Sequence, residues 1–383
     1  MVNPFETASK QSKKRLRSLR SRKDTTHPLT KLPSELQLRI MTYCDSKTLS
    51  AFSLLSNHFR ELSLRVMWET QPVETYIKNF DQLDEHEDLR LAVRHLAIRK
   101  QSTPNKSRFS GVTKRLVTRF PRNYFSGLQE FTIEFEPVSS DDFVTIMNTL
   151  SKYQPKRLKT LNITLNYHRG SLNNATNKYT IIYPTGLTTI MIRFGYSAQL
   201  PEWDPFKVLD ANSDTLTTAK VYFGHWYKYF SLKPCPKVTT LYARQDVYDK
   251  GYARELSIKF PNTENLILSA PCEVLWLHSD VATIEKYADW SHFSRVKSVE
   301  ITYPHNAPYS KNISYSDNVL RHVRLLAIRW IRDGDMPNLE VIKVMVVQPL
   351  TNITTHSFTL QIEIKDACRV VTTGEITKLP DEI

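Results

Sequence analysis

Glycine is scarce in this chain, at nine of 383 residues. None of the nine sits in a G-x-x-x-x-G-K-[ST] or G-x-G-x-x-G setting, so no backbone cradle for phosphate is expected. Cysteine is scarcer still. Cys44, Cys235, Cys272 and Cys368 lie far apart without a C-x-x-C pair, which argues against both structural zinc and a disulfide framework. No apolar run approaches the roughly eighteen residues of a membrane span. The opening Met1-Val-Asn-Pro-Phe-Glu runs straight into basic residues, without the apolar stretch of a secretory signal. The expectation is residence inside the cell, in the nucleus and/or the cytoplasm, with reduced and mostly buried cysteines. Triplets such as Asn162-Ile-Thr164 then have no role as glycan acceptors.

Signatures of catalysis are missing as well. There is no H-E-x-x-H and no G-x-S-x-G, and the eleven histidines are scattered. Ser291-His292 and His356-Ser357 read as surface neighbours. Asp141-Asp142 reads as the first turn of a helix, where negative charge suits the helix dipole. No enzyme activity, cofactor or metal is expected.

Positive charge, by contrast, is abundant and uneven. Of a net +13, residues 1–26 carry +6, from eight basic residues against Glu6 and Asp24. A like-charge block without an apolar face reads as a disordered tail over residues 1–27. Lys13-Lys14-Arg15-x-Arg17 suits nuclear import or polyanion binding, and a plain solubilising tail suits it equally. No aromatic follows Phe5 within the tail, which speaks against nucleic acid as its partner.

Residues 28–68 read as three short helices. Leu32-Pro33-Ser34-Glu35-Leu36 opens the first, because proline is tolerated where its missing N–H costs nothing. Leu32, Leu36, Ile40 and Tyr43 then form one apolar stripe. Asp45 or Ser46 is placed to cap a second helix buried through Leu49, Phe52 and Leu55. Phe59, Leu62 and Val66 do the same for a third. About forty residues bury too little surface for comfortable stability alone, so a partner or neighbouring domain must cover the apolar faces.

Leu32, Pro33, Glu35, Leu36, Ile40, Tyr43, Asp45, Leu49, Ser53, Leu54, Ser56, Phe59, Arg60 and Trp68 follow one another without insertion. In that order and spacing they resemble the F-box. Cys44, Ser46 and Thr48 stand where the family usually has Leu, Pro and Asp. The resemblance implies docking on the Skp adaptor and, through it, on cullin and RING subunits that supply the catalysis of an SCF-type ubiquitin ligase. Leu32, Pro33, Leu36, Ile40, Leu49, Leu55 and Phe59 are the adaptor contacts it implies, and Trp68 would lock the box onto the rest of the chain. A scaffold outside any ligase, or a nuclear protein working with nucleic acid through its tail, are the rival readings.

Residues 69–90 are polar and acidic and read as a helical connector. Beyond them one pattern recurs over 91–350: apolar, two spacers, apolar, one spacer, apolar. It begins as Val93-x-x-Leu96-x-Ile98 and passes through Leu158-x-x-Leu161-x-Ile163 and Leu187-x-x-Ile190-x-Ile192. It ends as Leu339-x-x-Ile342-x-Val344, with a poorer copy around Leu266 and Leu268. With 40% apolar residues the three positions coincide by chance in roughly 6% of windows, so pattern alone proves little. Starts at 128, 158, 187 and 216 are nearly evenly spaced, however, and the spacers are alike: Lys159-Thr160, Thr188-Thr189, Thr217-Thr218 and Thr239-Thr240. A fixed period of this size marks a solenoid. Each copy is read as a short strand, stacked in parallel on the next, with a return segment such as the helix carrying Phe143, Ile146, Met147 and Leu150.

This resembles a degenerate leucine-rich repeat, and the combination looks most like the fungal F-box proteins. The fold class expected is α/β: a three-helix F-box, then an irregular leucine-rich-repeat-like solenoid with a parallel sheet. The family's Asn after the strand survives only as Asn166. Residues 351–383 read as a capping strand, Phe358-x-Leu360-x-Ile362-x-Ile364, and a tail. The resemblance gives the repeats the work of holding a protein substrate. Ile163, Ile192 and Val221 should stack in the core, leaving Arg193, Lys220 and Tyr222 on a basic outward face that would suit an acidic or phosphorylated ligand. The cluster from Tyr222 to Phe230 holds Trp226 and Tyr227, readable as an interface hot spot or as a packed return segment.

Overall fold

The structure is a computed structural model. It describes residues 28–72, 87–98, 113–120, 125–135, 140–165, 180–194, 206–222, 233–244, 251–269, 292–304, 336–347, 354–365 and 368–378, with isolated residues between them. Three helices open it: α1 (Ser34–Thr42), α2 (Ser46–Phe52) and α3 (Asn57–Glu69). Pro33 stands just ahead of α1, and its carbonyl accepts from the Leu36 and Gln37 N–H groups. The α2 cap is Asp45, whose Oδ1 accepts from the Thr48 N–H at 2.7 Å. That bond holds the Asp45 carboxyl below its ordinary range.

The remainder is one sheet of twelve strands whose spatial order is the chain order. They are β1 (Thr70–Pro72), β2 (His95–Ile98), β3 (Glu130–Phe135), β4 (Thr160–Leu165), β5 (Thr189–Phe194) and β6 (Thr218–Tyr222). β7 (Thr240–Arg244), β8 (Asn265–Ser269), β9 (Ser298–Pro304), β10 (Val341–Val347), β11 (Thr354–Lys365) and β12 (Cys368–Lys378) complete it. Pairing is parallel from β1 to β10. Between strands run return helices, among them α4 (Glu87–Ala92), α5 (Ser140–Lys152), α6 (Lys207–Ala211) and α7 (Gly251–Lys259).

Every apolar triplet read from the sequence is buried, and its members line up across neighbouring strands. Leu161 pairs with Ile190, which pairs with Ala219 and then Leu241, and Ile163, Ile192, Val221 and Ala243 form the row beside them. Parallel strands about 4.8 Å apart put these side chains in contact along the whole sheet, and dispersion plus exclusion of water rewards the match. The shared spacers have their own cause. The carbonyl just ahead of each strand from β2 to β9 accepts two N–H groups from the next copy, as Lys159 O does from Thr188 and Thr189 at 2.9 and 3.0 Å. The Thr217 hydroxyl adds a bond to Thr188 O at 3.1 Å. On the helical side, Phe143, Ile146, Met147 and Leu150 of α5 are buried against the same core.

The poorer copy is a full member of the sheet. Leu266 and Leu268 of β8 pair in register with Leu241 and Ala243, and Thr263 occupies the first apolar position. Its hydroxyl is satisfied inside by Phe260 O at 2.9 Å, so a polar residue fills an apolar place. Two expectations are corrected. Residues 70–72, expected as helical connector, form strand β1 on the edge of β2. The chain also ends in two strands where one was expected: β11 runs antiparallel to β10, and β12 returns antiparallel to β11.

Candidate functional site

The interior of the three-helix unit is small: Met41, Leu49, Phe59 and Leu62, with Leu38, Phe52 and Val66 half-buried around them. Helix α1 turns Gln37, Leu38 and Met41 inward. Gln37 is held there by its Nε2–H donating to Leu32 O at 2.7 Å and by a 2.6 Å bond to His58 Nε2. The other stripe of α1 faces outward, with Leu36 47%, Ile40 39% and Tyr43 82% exposed. Leu54 and Leu55, just past the end of α2, are 54% and 58% exposed. Two apolar stripes run along α1, and periodicity alone could not say which one meets the neighbouring helices; the buried Gln37 decides it.

Of the residues the sequence singled out here, Pro33, Leu36, Ile40 and Leu55 lie exposed on the surface and Leu32 is half-buried. Leu49 and Phe59 do not; at 5% and 2% exposure they hold the helices together rather than offering contact surface. Leu55 is likewise not part of the buried face expected of the second helix. Tyr43 and Leu54 are the exposed apolar side chains that sequence reasoning had not placed among the contacts. Trp68 leaves the small interior and joins the core of the sheet domain with Val93 and Leu96, as its position at the end of α3 allows.

A second surface lies on the outward face of the sheet. Arg193 of β5 stands opposite Tyr222 of β6, and Lys220 of β6 opposite Tyr242 of β7. The Lys220 ammonium sits over the Tyr242 ring, 4.7 Å from its centroid, a cation–π contact that fixes the long side chain. Burial, and then the neighbouring Tyr242, push the Tyr222 phenol above its ordinary pKa, so it remains a hydroxyl donor at neutral pH. Three of the sequence-predicted substrate residues thus come together, and Tyr242 joins them. Its signal, an aromatic between Leu241 and Ala243, was the same alternation that marked Lys220. On β3 the same face is acidic, with Glu130 accepting from Asn162 and facing His95 at 3.5 Å. Trp226 and Tyr227 lie outside the described residues, as do Lys13, Lys14, Arg15 and Arg17.

The family scan matches residues 29–68 to the F-box domain. The chain carries an F-box. No curated protein matches the chain. The F-box coincides with α1 to α3 and ends on Trp68, where the helices hand over to the sheet. F-box domains in general dock on the Skp adaptor of SCF-type ligases and serve as non-catalytic substrate receptors. Among the described residues no group of His, Cys, Asp and Glu is arranged to hold a metal ion. No described helix is long and apolar enough to cross a membrane.

Proposed function

We propose that this chain is the substrate-receptor subunit of an SCF-type ubiquitin ligase, docking its F-box on the Skp adaptor and holding a protein substrate on the outward face of its sheet. The observation that carries the reading is the apolar stripe of α1 and the α2 end. The F-box has closed its own interior and still exposes Leu36, Ile40, Tyr43, Leu54 and Leu55. Clustered apolar surface of this kind marks a protein contact. Leu49 and Phe59 serve that contact only by shaping the helices beneath it. The sheet, similar in its pattern to leucine-rich repeats, supplies a long rigid platform. Its work is to raise the local concentration of substrate beside the ubiquitin-carrying enzyme, so no chemistry is asked of this chain.

The test is direct. Burying each exposed apolar side chain in a partner contributes roughly 1.5–3 kcal/mol at most. Leu36→Ala with Ile40→Ala should therefore weaken binding of purified Skp adaptor at least tenfold by calorimetry, while circular dichroism and the melting curve stay native. Wild-type affinity in that double variant would remove the adaptor reading.

A further inference from the structure

Beside the turns that lead into β3 and β4 lies a cavity of about 640 Å³. That size falls within the roughly 300–1,000 Å³ of ligand-binding pockets. Its buried lining is apolar: Phe120 and Phe125, with ring centroids 4.7 Å apart, and Pro155. Two large side chains that the protein leaves exposed, Leu91 at 47% and Tyr153 at 37%, stand at its mouth. Cations share that mouth, the half-buried Arg90 and the exposed Lys156 and Arg157. None of the described lining residues is acidic.

Local structure sets this arrangement. The Leu128 N–H donates to Phe125 O at 2.9 Å and the Leu158 N–H to Pro155 O at 3.0 Å, so adjacent copies enter their strands through the same four-residue turn. Phe125 and Pro155 hold its buried first place, and Lys156 and Arg157 the two exposed central places of the second turn. Gln154 ties that turn to the next copy, its Nε2–H donating to Thr185 O and its Oε1 accepting from the Thr185 N–H at 3.1 Å. Helices α4 and α5 also end here, and their C-termini bring up to about half a negative charge each. Three full cations outweigh them, so the mouth selects an anion.

The geometry points to the C-terminal end of another protein's chain as the occupant of this cavity. A bulky apolar last side chain lies among Phe120, Phe125 and Leu91, and the terminal carboxylate stays at the mouth with Lys156 and Arg157. This rests on the receptor reading only in taking a protein as the occupant. An apolar group and an anion must reach one small mouth together. In an extended chain an acidic side chain and its apolar neighbour point to opposite sides, so an internal acid brings one without the other. A last residue carries both on one Cα. Depth separates the chain end from a phosphotyrosine. A phosphorylated ring bears its charge at the far tip, which would press phosphate among buried phenyl rings, at a high desolvation cost, and leave the exposed cations behind. The chain end reverses that order, with the side chain inward and the carboxylate outward, where the Arg157 guanidinium can grip both oxygens.

The experiment titrates the full chain into peptides of about ten residues, roughly 34 Å when extended, so that a dye on the N-terminus stays clear of the cavity. All have a Gly/Ser host and are read by fluorescence anisotropy. One ends in Leu-Phe with a free carboxylate, one ends in Leu-Phe amide, and one has a glycine extension between Leu-Phe and its free carboxylate. A last one carries a central phosphotyrosine and an amidated end. The Leu-Phe carboxylate peptide should bind at least ten times tighter than each of the others. Lys156→Gln with Arg157→Gln should weaken it about tenfold. Leu91→Glu, which replaces an exposed apolar contact by a like charge, should abolish it, and both variants should keep the melting temperature. Arg193→Gln with Lys220→Gln should leave binding unchanged, because neither residue lines the cavity. Equal binding of the amidated or glycine-extended peptide, tighter binding of the phosphotyrosine peptide, or no binding at all would overturn the inference. Indifference to both cavity variants, or sensitivity to the sheet-face pair, would do the same. Adaptor binding is measured on the same proteins. Loss of the peptide preference with adaptor binding intact counts against this inference alone, and loss of adaptor binding with the preference intact counts against the receptor reading alone.

Discussion

Lys259, at the end of α7, is 1% exposed. Its ammonium donates to Asp210 Oδ1 and to the carbonyl and hydroxyl of Ser231, which uses all three of its N–H groups. Lys233 reinforces the cluster through Asp210 O at 3.1 Å. Beside it, burial pushes the Cys235 thiol up to about 11, leaving it an inert apolar residue at neutral pH. A buried cation is tolerable only while its partners remain. Asp210→Ala should cost roughly 3–5 kcal/mol in urea unfolding, and adding Lys259→Met should restore much of the loss. A double variant no more stable than Asp210→Ala would show that the ammonium is not the liability. None of this was legible in the sequence: the partners lie 49 and 28 positions from Lys259, and a lysine in Glu-Leu-Ser-Ile-Lys reads as surface.

Among elements, one close approach is where the turn before β3 meets the end of α4. A Cβ built on Gly127 would fall 2.3 Å from the carbonyl oxygen of Leu91, which is backbone and cannot swing aside. Gly127→Ala should therefore destabilise the fold by about 2 kcal/mol or more, read from the denaturant midpoint, and push the turn before β3 away from α4. An unchanged midpoint would mean that the two elements do not touch so closely in solution. The strands themselves were readable in advance, because each repeats the same three buried positions and each change of face would expose all of them. The elements that were missed lacked that signal. β1 is three residues long and ends in Pro72, and β12 interrupts its alternation at Gly374. The inner stripe of α1, Gln37, Leu38 and Met41, was not read from the sequence for another reason: a nine-residue helix with two apolar stripes carries no mark of which is inner until Gln37 finds its bonds, and Leu36 and Ile40 were named as contacts through the resemblance alone.

At the scale of the whole molecule, α3 leads straight into β1, and Trp68 belongs to the sheet's core rather than to the box it closes. That part of the site was foreseen from the position of Trp68. The separation of contact residues into exposed and interior ones was not, since burial depends on partners distant in the chain. Because spatial order repeats chain order, the F-box sits beyond β1 while Arg193 and Lys220 lie on β5 and β6. In such a stack each copy answers mainly to its two neighbours. An occupant on β5 and β6 should therefore leave adaptor affinity unchanged within about twofold, a coupling free energy under about 0.4 kcal/mol. Titrating adaptor with and without a saturating occupant of that face measures it, and a tenfold shift would refute it. The consequence is statistical. If the chain acts as the proposed receptor, the fraction of molecules ready for ubiquitin transfer is then the simple product of two occupancies, so scarcity of adaptor would lower the turnover of every substrate by the same proportion and alter the ranking of none.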